Sequence, residues 1–105
     1  MQNRKIPNDP ELEAIVLGGM LIEQRGVSEV VEVVKDTNVF YTPKNAIVYD
    51  AIISLYKSSQ GVDIMTVKTE LQRIGKLKEA GGSSYLVGLT ERVSSSAHIQ
   101  NHAVL

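Results

Sequence analysis

The stretch EAGGSSYL, residues 79–86, decides the fold class of this chain. Paired glycines followed by paired serines suit either a phosphate-binding loop between a strand and a helix or a turn between two helices. A Walker-type loop needs G-x-x-x-x-G-K-[ST], so that backbone amides hold the phosphates, lysine neutralises them and the hydroxyl binds magnesium. No lysine follows Gly82, and the segment before Glu79 reads as a helix. A dinucleotide fingerprint, which also needs a strand there, fails for the same reason. The stretch therefore reads as a helix-to-helix turn, with glycines at positive φ and Ser83 as N-cap of the next helix.

Working outward, the flanking segments carry helical spacing and capping signals. Downstream, Tyr85, Leu86, Leu89 and Val93 recur at helical spacing. Ser94 to Ser96 break the pattern and cap a last helix near Ala97, whose pattern still runs at Val104 and Leu105, so the chain is expected to continue. Upstream, Asp63 caps a helix with Val67, Leu71 and Ile74 inward, Lys68, Glu70, Gln72 and Arg73 outward, and Gly75 as its left-handed exit. Thr42-Pro43 opens another helix, striped by Val48, Ala51, Ile52, Leu55 and Tyr56 and stopped by Gly61.

Before it, Val27, Val30, Val31 and Val34 follow Gly26, with Ser28, Glu29 and Glu32 facing water. Four valines also suit a strand, but their spacing favours a helix. Asp9-Pro10 starts the first helix, to about Glu23, and Glu11 and Glu13 place negative charge where the helix dipole favours it. Between residues 14 and 22 apolar side chains cover nearly the whole circumference, as in a central helix. Gly18 and Gly19 each cost this helix about 1 kcal/mol relative to alanine, a loss offset if another helix packs against the bare backbone. These segments predict an all-α fold, a compact bundle of about five to six short helices.

Bulk properties bound the function. One domain is expected from 105 residues. Eleven basic against twelve acidic residues give a net charge of -1, so the overall field does not draw the chain to nucleic acid. Absence of cysteine excludes disulfides and thiolate chemistry and fits a reducing compartment. The apolar run 14–22 is shorter than the roughly 20 residues of a membrane span. Acidic residues precede it where a secretory signal would be positive. A cytoplasmic location is expected.

Candidate chemistry is sparse. His98 and His102 have the i, i+4 spacing of zinc-binding helices, but residue 99 is isoleucine where a metalloprotease places its base, and no third ligand is marked. Glu11 with Glu13, and Asp63 with Glu70, read as helix-start charges and a cap rather than acid–base pairs. Lys68, Gln72 and Arg73 raise the alternative of a helix-turn-helix DNA reader, but Glu70 interrupts them and the face reads as solvated. No catalytic, cofactor or metal site is predicted.

Five pieces in order carry a resemblance: ELEAIVLGGML (11–21), FYTPKNAIVYDAIISLY (40–56), VDIMTVKTELQRIGKL (62–77), GGSSYL (81–86) and SSSAHIQNHA (94–103). Together they resemble the N-terminal domain of bacterial replicative DNA helicases of the DnaB type, over nearly the whole chain. Departures are Gly61-Val62 and Ser94 or Ser95 where that family often has proline, and His98 and His102 in place of asparagine and tyrosine. The resemblance implies a flexible tail (1–9), a globular helical head (10–93) and the start of a helical hairpin (94–105).

It also implies a non-catalytic collar domain that holds a hexamer together and docks primase, with a helicase loader as a further partner. ATP and Mg would belong to a separate motor domain. Strong direct DNA binding and membrane association are not expected. Tyr85, with Glu11 and Glu79, is the candidate primase surface, although Tyr85 equally suits a place in the core. Ala97, Ile99 and His102 are the candidates for self-association.

Overall fold

A computed structural model describes residues 9–23, 27, 28, 30, 31 and 40–104, with side chains described as far as Val93. Four helices are delimited: α1 (Pro10–Ile22), α2 (Pro43–Lys57), α3 (Ile64–Arg73) and α4 (Gly82–Val104). Val27, Ser28, Val30 and Val31 are also helical, as their spacing predicts, and no strand occurs among the described residues. Residues 1–8 of the expected tail (1–9), Gly26, Glu29, Glu32 and Val34 lie outside them. The all-α class holds, but two predicted helices are one. Ser94 to Ser96 do not interrupt α4, because serine costs a helix well under 1 kcal/mol and no glycine or proline follows to break it.

Local start signals act as read in two cases. Asp9 accepts from the backbone of Glu11 and Leu12 at 3.0 and 3.3 Å. Asp63 and Thr66 form a reciprocal capping box, each bond 2.9 Å. Stops are less faithful. Past α2 it is Ser59 that takes the left-handed conformation (φ 60°), ahead of the predicted stop at Gly61, whereas Gly75 leaves α3 at φ 73° as expected.

The core gathers Ala14, Leu17, Met20 and Leu21 from α1, Val48, Tyr49, Ala51, Ile52 and Leu55 from α2, Val67 and Leu71 from α3, and Leu86 and Leu89 from α4. Val27, Phe40, Val62 and Ala80 complete it. α1 is not covered on every side, as a central helix would be, since Leu12 and Ile22 are exposed. Tyr56 and Ile74, assigned to inward stripes, are also exposed, and Tyr49 is the buried tyrosine, its ring 4.7 Å from that of Phe40.

α1 lies along α4, and Gly18 is the reason the two backbones can approach. A methyl at Gly18 would collide with the Leu89 carbonyl oxygen and come within 2.7 Å of Val93 Cγ2. Gly19 meets nothing within 4 Å, so close packing offsets the cost of one glycine and not of both.

α1 is tied to α2 by a buried charge. Glu13, read from the sequence as a helix-start charge, is fully buried. Its carboxylate accepts from the backbone N–H of Tyr41 (2.7 Å) and of Thr42 (3.3 Å), and from Asn45 Nδ2 (2.9 Å). Thr42 is the N-cap of α2 as predicted, but its side chain makes no capping bond. Glu13 caps α2 from another helix and sits at the positive end of its dipole. Burial alone pushes the Glu13 carboxyl up, yet the bonds from Asn45, Tyr41 and Thr42 outweigh it and hold the group below its ordinary 4.5.

Two consequences can be measured. Gly18→Ala is expected to destabilise by about 1–3 kcal/mol in urea titrations through overpacking, and Gly19→Ala to stabilise by up to about 1 kcal/mol through helix propensity. Glu13→Gln should cost about 2–3 kcal/mol at pH 7, because the amide keeps one acceptor and faces donors with an NH2. A depressed folded-state value means that Glu13 contributes its full stability above about pH 4.5 and loses it as pH falls through that lower value. The difference between wild type and Glu13→Gln should therefore shrink in melts below pH 4.5. Glu70, also held below 4.5 by the hydrogen bond from Arg73, keeps its share of the acid dependence in both proteins.

Candidate functional site

The opening stretch is a turn. Gly81 and Gly82 have φ of 102° and 78°, and the residues before them form turns rather than a strand. Their amides are already engaged, Gly81 N with Lys78 O at 3.1 Å and Gly82 N with Leu77 O at 2.9 Å, so this backbone does not form a phosphate cradle. α4 begins at Gly82, one residue before the predicted cap Ser83. Gly81 is needed for space as well as for φ, because a Cβ there would lie 2.7 Å from Tyr85 Cβ.

The turn and the first turn of α4 place Tyr85 half-buried against the start of α2. Its hydroxyl donates to Asn45 Oδ1. A carboxylate only accepts, so the Asn45 amide must turn its NH2 to Glu13 and its oxygen to Tyr85, which fixes the direction of the chain. Lys44, exposed in the first turn of α2, holds its Nζ over the Tyr85 ring, 4.0 Å from the centroid. Burial pushes the Tyr85 phenol above 10.0; Arg92 opposes this, while Glu13 and Glu11 add to it.

Glu11 lies on the same surface. Its Oε2 is 3.2 Å from Arg92 Nε, in a solvent-exposed pair that links the start of α1 to α4. Tyr85 thus occupies neither of the two alternatives alone: its tip belongs to a buried network and its ring carries an exposed cation. Glu79 is exposed in the turn that leads to Gly81. Ala97, Ile99 and His102 share α4, and their side chains, like that of His98, lie outside the described ones.

Sequence reading missed Lys44, Asn45 and Arg92 as parts of this surface. Asn45 and Tyr85 are 40 positions apart, and Asn45 and Glu13 are 32 apart, so no local spacing marks them. The face considered for DNA reading is differently occupied. Arg73 makes a two-bond ion pair with Glu70, at 2.7 and 3.0 Å, and Ser54 also donates to Glu70. Its main cation is engaged within the fold.

Residues 5–105 match the family model described as the DnaB-like helicase N terminal domain. The chain is 46% identical over 100 residues to the replicative DNA helicase DnaB of Leifsonia xyli, covering 95% of this chain and 22% of that protein. It is 40% identical over 97 residues to the DnaB of Rhodothermus marinus, covering 92% and 10%. The chain thus spans about a fifth or less of the length of these relatives. The crystal structure of the N-terminal domain of DnaB helicase from Mycobacterium tuberculosis superposes with a TM-score of 0.79 at 40% identity, covering 83% of this chain and 62% of that one. Fold and sequence agree, and the chain belongs to the DnaB-like helicase N-terminal domain family.

Proposed function

We propose that this chain is the non-catalytic collar domain of a replicative DNA helicase, which joins subunits into a hexamer and docks primase through the surface around Tyr85 and Glu11. The observation that carries the reading is the family match over residues 5–105. The surface chemistry supports it. An aromatic ring with a fixed hydroxyl, flanked by charged side chains, is what a specific protein contact uses as an anchor within a polar rim. The net charge of -1 is suited to protein contact more than to a phosphate backbone.

In this reading ATP and Mg serve a separate motor domain, a helicase loader is a second partner, and the protein works in the cytoplasm. Among the described residues no helix is long and apolar enough to cross a membrane. Glu79, beside the glycine turn, is the outer candidate of the primase surface. Ala97, Ile99 and His102, along α4, are the candidates for contact between copies.

Sedimentation velocity on the chain, alone and with the C-terminal domain of its cognate primase, tests this. A complex is expected, and a clean monomer that ignores primase would contradict both proposed roles. Glu11→Gln should weaken the complex while shifting the melting temperature by no more than a few degrees, since an exposed ion pair contributes about 0–1 kcal/mol. Tyr85→Ala should weaken the complex and also lower the melting temperature by about 8 °C or more, because it removes a ring and a buried hydrogen bond together.

A further inference from the structure

We propose that the Lys44 ammonium, seated over the Tyr85 ring, is the point that receives an acidic side chain of the docked primase. This rests on the primase-docking reading above and adds the chemistry of the contact. Lys44 is exposed, and its described interaction is with the ring, at 4.0 Å. The described ion pairs occupy Arg73 with Glu70 and Arg92 with Glu11, and neither carboxylate is shared with Lys44. The buried Glu13 charge is engaged by two backbone N–H groups and Asn45. Lys44 is therefore a cation already positioned and, among the described residues, not matched by a contacting anion.

The positioning is what distinguishes it from the other described surface lysines. A free lysine loses rotamer freedom when a partner captures it, and the ring contact has already restricted this one. The ring itself is held from below, since its hydroxyl donates to Asn45, which donates in turn to Glu13. Donation along such a chain shifts electron density toward the ring and strengthens its attraction for the cation. A carboxylate placed on Lys44 then forms an ion pair above an aromatic platform, partly shielded from water. A basic side chain at the same place would meet Lys44 and Arg92 and be repelled.

The test is the affinity of the full chain for the primase C-terminal domain, measured at low and moderate salt, for wild type, Lys44→Met and Lys44→Arg. Methionine keeps an unbranched apolar stem for the ring and removes the charge. Lys44→Met is expected to bind about tenfold more weakly or worse and with a flatter salt dependence, Lys44→Arg within about threefold of wild type, and both to melt as wild type does. Unchanged affinity in Lys44→Met would overturn the inference and leave the docking reading standing, whereas no binding by wild type would overturn both. A labelled single-stranded oligonucleotide that binds wild type but not Lys44→Met, with primase binding unaltered, would assign Lys44 to phosphate and overturn the inference.

Discussion

Everything in this fold that concerns Tyr85 depends on one buried carboxylate. An ionised Glu13 with no access to water is tolerable only if its lone pairs are occupied, and the start of α2 together with Asn45 occupies them. The same contact caps α2, whose own Thr42 side chain does not. Because Asn45 must then present its oxygen to Tyr85, the charge on α1 determines how α4 meets α2. No buried polar side-chain atom among the described residues is left without a partner, so the network is closed rather than half satisfied.

Gly18 supplies a constraint of a different kind. The Glu13 network is directional and selects one orientation of α1 against α2, whereas Gly18 sets how near α1 comes to α4. The two sit five residues apart on α1 and act on different faces. Between them they place the start of α2 and the first turn of α4 side by side, where Lys44 meets Tyr85, with the Glu11–Arg92 pair further along α4. The proposed docking surface is thus a consequence of the core, not a decoration on it.

Features that depend on near neighbours in the chain are legible in the sequence. Asp9 and Asp63 cap their helices because cap and backbone lie two or three residues apart, and the valines after Gly26 show their helix by spacing. Gly18 is half legible: a glycine inside a helix announces a close neighbour, but only the packing tells it from Gly19. Glu13 was read only as a helix-start charge because an acidic residue in a first turn is adequately explained by the dipole, and its partners lie 28 to 32 positions away. Ser94 to Ser96 misled because serine is common at caps, though without glycine or proline it does not end a helix. Of the residues around the proposed surface, Tyr85 and Glu11 were named from the family resemblance, whereas Lys44 and Asn45 were illegible, because they look like ordinary residues after Thr42-Pro43.

Glu13 and Tyr85 act as one unit through Asn45, although neither touches the other. A double-mutant cycle in urea, with Glu13→Gln, Tyr85→Phe and the pair, measures that directly. A coupling of about 0.5–3 kcal/mol is expected, with the second substitution costing less once the first has been made. Costs that simply add, within about 0.3 kcal/mol, would show that the two residues stabilise the fold independently and would contradict it.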